Sequence, residues 1–205
     1  MFSLLKVAKL KDGCKVLGPE VRFVVWFYGC SRNCPRCVAE SMNKSGVFTE
    51  YTPEELAAKV IAAGVNGVTL SGGEPLEQNT QALLRFLQLL KEAGKNVICY
   101  TGMNYDIIKH TPFFQEIFQH IDLLIDGEYL EDQDNGTYLR GSDNQRFIPL
   151  SDFFKDDVEI FANKSGRELE IELDRNNSLD IAGIPQKGFL NILRKKLDDN
   201  GLTVY

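Results

Sequence analysis

Three cysteines, Cys30, Cys34 and Cys37, stand within eight positions in the run Cys-Ser-Arg-Asn-Cys-Pro-Arg-Cys, a C-x3-C-x2-C spacing. The chain has five cysteines in all, an odd number clustered too tightly for a disulfide framework, so close-set thiolates point to metal or redox chemistry. Zinc sites and electron-carrying clusters normally take four ligands. Three thiolates on a cubane iron–sulfur cluster leave one iron open to a ligand from outside the protein. A zinc site completed by Cys14 or a histidine is the alternative that the spacing leaves open. Otherwise Cys14 and Cys99 read as small buried residues, and His110 and His120 as surface or packing residues.

A second candidate element is Ser71-Gly72-Gly73-Glu74-Pro75. Its two glycines let a ligand lie against the backbone, and Glu74 offers an acceptor for an ammonium group. Alone this is ordinary turn composition; beside the cysteine triplet it becomes specific. Thr101-Gly102 and Asp126 close two further apolar runs and are candidates for the same rim, against plain turn chemistry.

The elements that must position these residues alternate along the chain. Val21 to Tyr28 (VRFVVWFY) is β-branched and aromatic, the pattern of a strand covered on both faces. Thr52 followed by Pro53-Glu54-Glu55 starts a helix that runs to Ala63. Gly67–Leu70 predicts a second strand, Asn79–Ala93 an amphipathic helix, and Asn96–Tyr100 a third strand. A less regular helical stretch covers Tyr105–His120, and Ile121–Ile125 gives a fourth strand. Strand and helix in regular turn mean βαβ units and a parallel sheet, with both motifs at carboxyl ends of strands, where such folds place their sites. After Gly127 the pattern changes. Arg167–Asp174 (RELEIELD) alternates strictly, acids opposite Leu169, Ile171 and Leu173, as in a half-exposed antiparallel strand. Asn176-Asn177 then predicts a turn, Ser178–Ile184 the hairpin partner, and Lys187–Leu197 a last amphipathic helix.

Composition bounds the rest. With 205 residues, 43% hydrophobic and 25% charged, the chain suits a single α/β domain, its core at about 20–127 and a C-terminal appendage at about 128–205. A net charge of −6 argues against general nucleic-acid or membrane-surface binding. Phe23–Tyr28 is far shorter than the roughly 20 apolar residues of a membrane helix, and no signal peptide is evident, so the expectation is a cytoplasmic protein.

The cysteine triplet and the Gly-Gly-Glu-Pro run together resemble the radical SAM superfamily. Within it the likeness is to the small glycyl-radical-enzyme activases, above all those of anaerobic ribonucleotide reductase. Three stretches carry it: Gly18-Pro19-Glu20-Val21-Arg22 through Gly29-Cys30, Thr69 to Leu76, and Leu123–Gly127 with Leu139-Arg140-Gly141-Ser142-Asp143-Asn144-Gln145-Arg146. The resemblance covers about 6–146 and implies a partial (β/α) barrel with a C-terminal antiparallel hairpin and helix. It implies one 4Fe–4S cluster on Cys30, Cys34 and Cys37, and S-adenosylmethionine (SAM) bound by Gly72, Gly73 and Glu74, with Arg36, Thr101 and Asp126 as further contacts. Reductive cleavage of SAM to a 5′-deoxyadenosyl radical follows, then hydrogen abstraction from a glycine of a partner enzyme. A flavodoxin- or ferredoxin-type reductant is implied; nucleic acid and membrane are not. Arg36 stands where the family often has an aromatic residue, Val38-Ala39 replaces the usual continuation after the third cysteine, Glu20 a glycine, and Glu128 a lysine. Modification of a peptide or small molecule by the same chemistry, or a non-catalytic zinc or Fe–S module, are the rival readings. Arg140, Gln145 and Arg146 suit either anion binding or capping of a sheet edge.

Overall fold

The computed structural model describes residues 3–173 and 179–199. Its centre is β2 (Arg22–Phe27), buried at every position, as its unbroken apolar run requires. β4 (Gly67–Gly72), β5 (Asn96–Thr101) and β6 (Leu123–Asp126) extend it in parallel. The connecting helices start where the capping chemistry says. Thr52 and Glu55 form a reciprocal capping box on α2 (Pro53–Ala62), and Asn79 caps α3 (Thr80–Glu92). The α3 stripe of Leu83, Phe86, Leu87 and Leu90 is buried against the sheet.

Three strands that the sequence reading does not assign widen this parallel core. β1 (Leu5–Cys14) pairs antiparallel with β2, β3 (Thr49–Tyr51) antiparallel with β1, and β7 (Arg146–Pro149) antiparallel with β6. The sheet therefore has seven strands in the order β3-β1-β2-β4-β5-β6-β7, with β3 and β7 at its edges. A short α1 (Glu40–Lys44) precedes β3. The expected helix over Tyr105–His120 is two: α4 (Tyr105–Ile108) and α5 (Pro112–Phe118). Pro112 has no N–H to continue α4, so the chain restarts there.

A second apolar layer covers the other face of the sheet. Phe161 of α6 (Asp157–Asn163) meets Phe147 and Phe154 with ring centroids 5.9 and 6.4 Å apart. Beneath them lies Arg22, 0% exposed, donating to Thr69 Oγ1 at 2.7 Å and the Val68 carbonyl at 2.8 Å. A Cβ on Gly18 would stand 2.4 Å from Arg22 Cδ, which gives a steric reason for that glycine in the Gly-Pro-Glu-Val-Arg run.

The appendage is a separate hairpin, β8 (Leu169–Leu173) and β9 (Leu179–Gly183), followed by α7 (Phe189–Asp199). The expected Asn176-Asn177 turn lies outside the described residues. RELEIELD is half exposed as expected, and within β8 Ile171, Glu172 and Leu173 are the exposed residues. Glu170 and Glu172 pair with β1, where Lys11 reaches Glu172 at 2.8 Å and Glu170 at 3.8 Å, and Lys9 pairs with Asp180 of β9. Among the described residues no helix is long and apolar enough to cross a membrane.

Candidate active site

Phe27 and Gly72 are register partners at the ends of β2 and β4, so the cysteine loop and the Gly-Gly-Glu run leave the sheet side by side. The Gly73 N–H donates to the Phe27 carbonyl and the Glu74 N–H to the Gly29 carbonyl, both at 2.8 Å. A Cβ on Gly73 would fall 2.1 Å from the Gly29 oxygen, and one on Gly72 (φ +94°) 2.6 Å from the Phe27 oxygen. These glycines are demanded by the protein's own backbone: only their bare Cα atoms let the cysteine loop cross the end of β4.

Glu74 is 1% exposed and locks the rim. One carboxylate oxygen accepts from Thr101 Oγ1 at 2.8 Å and the Leu76 N–H at 3.1 Å; the other accepts from the Gly102 N–H at 2.8 Å. Burial outweighs these donors and raises its pKa above the usual carboxylate range. Arg32, between the first two cysteines, lies 3.5 Å from Glu74, 3.3 Å from Glu77 and 3.2 Å from Glu128. Ser31 adds two hydrogen bonds to Glu77, at 2.5 and 2.7 Å. The cysteine loop is thus strapped to the loops after β4 and β6 by Ser31 and Arg32, between its first two cysteines.

Above this rim opens a cavity of about 970 Å³. Cys30, Cys34, Cys37, Arg36, Gly72, Gly73, Glu74 and Thr101 all line it; of the sequence candidates, only Asp126 does not. Asp126 is 1% exposed and turned to the sheet edge, accepting from Arg146 Nε at 3.0 Å and from the Tyr105 N–H at 2.8 Å. Arg140 and Gln145 serve that edge too. Arg140 donates to the Gln145 carbonyl at 3.1 Å, and the Gln145 side chain ties Gly127 to Gly141. Arg140 and Arg146 thus lie outside the cavity lining, whereas Gln145 lines it as well.

The donor set fits an iron–sulfur cluster. All five cysteines are free. Among the described residues no three His, Cys, Asp or Glu side chains gather to hold a single ion. A cubane does not ask for that, because each thiolate binds a different iron and the three need a common cavity rather than a common point. Cys14 is 0% exposed in an apolar cluster with Leu17, Val24 and Trp26, and neither it nor a histidine lines the cavity. Neither Cys14 nor a histidine is therefore at hand as a fourth ligand for zinc. Burial, with the Glu74 and Glu77 carboxylates adding to it, pushes the Cys30 thiol up to about 11; burial also raises Cys37. Both thiols must shed a proton to bind metal. Among the described residues two lining side chains hold a buried oxygen with no hydrogen-bond partner, the Tyr100 hydroxyl and Asn43 Oδ1, the latter 2.9 Å from where a Gly73 Cβ would be.

Residues 16–148 match the family described as "4Fe-4S single cluster domain". The anaerobic ribonucleoside-triphosphate reductase-activating protein of Enterobacteria phage T4 is 32% identical over 143 residues, covering 67% of this chain and 89% of that one. Its counterpart in Escherichia coli (strain K12) is 29% identical over 139 residues, covering 63% of this chain and 89% of that one. The pyruvate formate-lyase-activating enzyme of Clostridium pasteurianum is 36% identical over 117 residues, 51% of this chain and 48% of that one. The chain belongs to the radical SAM activase family.

As an activase it carries an iron–sulfur cluster domain, and the matched 16–148 hold the cysteine loop, the Gly-Gly-Glu rim and the Gln145 tie. Sequence reasoning missed Ser31, Arg32, Glu77 and Asn43. Arg32 had a signal, a cation set between clustered thiols, but its carboxylate partners lie 42 and 45 residues away in sequence and only folding brings them to it. The remaining cavity wall of the activase, Ile184 to Arg194, comes from beyond the matched segment.

Proposed function

We propose that the chain activates an anaerobic ribonucleotide reductase in the cytoplasm by generating a glycyl radical on it, using SAM and one 4Fe–4S cluster. The observation that carries this reading is the meeting of three free cysteines and the Gly72–Glu74 rim on one cavity, in a chain whose relatives bear that activating name. The whole chain, 1–205, acts as one domain, and the sheet as a partial barrel whose missing strands leave room for a large substrate.

In this reading Cys30, Cys34 and Cys37 hold the cluster as thiolates. Gly72, Gly73, Glu74, Arg36 and Thr101 surround the SAM site; Asp126 supports it from the sheet edge. When bound, the reduced cluster and SAM supply one-electron cleavage of a sulfonium carbon–sulfur bond, yielding a carbon radical able to take a hydrogen atom from a glycine Cα. Glu74 fixes the ends of β4 and β5 through Thr101 and Gly102, so the rim is already set before ligand arrives. Arg32 and Ser31 hold the cysteine loop against that rim through Glu77. The electron comes from a flavodoxin- or ferredoxin-type donor.

Anaerobic reconstitution tests the proposal. The reduced protein should give a cluster EPR signal that changes when SAM is added, and should form 5′-deoxyadenosine with dithionite. Cys34→Ala should abolish cluster assembly and Cys99→Ala should leave it intact, because Cys99 is fully buried in the core. Retention of one zinc with no nucleoside product would end the reading.

A further inference from the structure

The cavity beside the cysteine loop has a wall that the family-matched segment does not supply. Residues 16–148 contribute the cysteines, Gly72–Glu74, Thr101, Gly127 and Gln145. Facing them, Ile184, Pro185, Gln186, Leu190, Asn191 and Arg194 come from the end of β9 and from α7. The root of this wall is firm: Ala182 is buried beside Cys14 and Trp26, and Arg167 donates to the Pro185 carbonyl at 3.1 Å. Its far part is lightly held, since α7 has no buried residue and Leu190 is 37% exposed.

Charge singles out one residue of that wall. Arg32 meets Glu74, Glu77 and Glu128; Arg36 meets Glu131 at 3.0 Å; Lys44 meets Glu40 at 2.7 Å; Lys187 meets Glu131 at 3.6 Å. The last lining carboxylate, Asp134, pairs with Arg167 at 2.8 Å. Among the described residues, Arg194 is the one lining cation with no carboxylate partner. The positive charge left over in the cavity therefore sits on α7. Around it, Gln186 and Asn191 each offer a donor and an acceptor, which is what an extended peptide backbone presents in return, and Leu190 offers apolar contact.

We propose that Ile184–Arg194 is the element with which this chain selects its protein substrate, holding an extended segment of the partner with Arg194 on an acidic side chain of that segment. The inference rests on the proposed function, in which another protein's glycine is the reacting group. The carboxylate of SAM is the other source of the same chemistry. The cysteines and the Gly-Gly-Glu rim lie inside the matched 16–148 whereas α7 lies outside, so this wall is separate from the residues proposed to hold the cluster and SAM.

The test uses the full chain, reconstituted anaerobically, as wild type, Arg194→Glu, Leu190→Asp and Ile192→Asp, the last exposed on α7 but outside the cavity lining. Binding to immobilised anaerobic ribonucleotide reductase from the same cell is read by interferometry, and SAM binding by equilibrium dialysis. Arg194→Glu and Leu190→Asp should each raise the reductase Kd about tenfold or more, Ile192→Asp should not, and added salt should weaken the wild type more than Arg194→Glu. Reductase affinity unchanged in Arg194→Glu overturns the inference alone. Lost SAM affinity in that variant with reductase binding intact assigns Arg194 to the cofactor carboxylate and overturns it too. A wild-type chain that binds no reductase removes the proposed function, and the inference with it.

Discussion

Gly73 sits where the cysteine loop and the sheet rim come closest. An added methyl there has backbone to push against, the Gly29 oxygen at 2.1 Å, whereas at Gly102 it meets the flexible Arg32 Cδ at 2.8 Å. Gly73→Ala should therefore lower the free energy of unfolding by about 2 kcal/mol in anaerobic urea titrations, and Gly102→Ala by clearly less. Equal losses would show that the crossing is not what the glycine serves. Cys30 gives a prediction in pH. A thiol pushed up to about 11 is neutral in the folded protein, and its thiolate grows as pH rises toward that value. At pH 8 it holds roughly a two-hundredth of the thiolate of an ordinary cysteine. Alkylation of Cys30 in metal-free protein, followed by mass spectrometry, should be slow at pH 8 and rise about tenfold per pH unit up to 10. A rate flat across that range would remove burial as the controlling cause. At this scale the cysteines and glycines are legible in sequence because their chemistry belongs to the residue type. Arg32 and Asn43 are ordinary residue types whose roles come from the neighbours they are given.

Among the elements, the parallel strands and their helices declare themselves through apolar runs and caps, and β2, α2 and α3 fall where Val21–Tyr28, Thr52 and Asn79 place them. β1 does not, because Lys6, Lys9 and Lys11 break its apolar residues into no regular period. Lys9 and Lys11 have partners that arrive from the far end of the chain. Lys11 is 8% exposed amid Glu170, Glu172 and Asp180, an ion cluster that ties the hairpin to β1. Removing Lys11 leaves the half-buried Glu170 without this cation. Lys11→Ala should thus speed amide exchange in β8 and β9 while β2 and β4 stay protected, read by hydrogen exchange with mass spectrometry. Unchanged exchange in β8 would mean that the hairpin is held without Lys11, by Lys9–Asp180 and the packing of Ala182.

For the whole molecule, the family-matched segment 16–148 is not a structural unit. It omits β1, which supplies buried Leu5 and Val7 and is the neighbour of both β2 and β3. A fragment 16–148 should show no cooperative thermal transition, whereas 1–168, which keeps the seven-stranded sheet and loses the hairpin, should melt cooperatively at a temperature below that of the full chain. Circular dichroism distinguishes the two, and a cooperative melt for 16–148 would place the stability of the sheet elsewhere. The sequence by itself determined the cysteine spacing, the glycines of the rim and the βαβ alternation, since each depends on residue type and near neighbours along the chain. Only the tertiary structure decided that those glycines yield to crossing backbone, that Glu74 is bound by its own rim, that Asp126 faces the sheet edge, and that the C-terminal segment walls the cavity. The physical reason is the same each time: these outcomes depend on groups tens of residues apart, whose meeting is set by sheet order and burial and leaves no mark in local pattern.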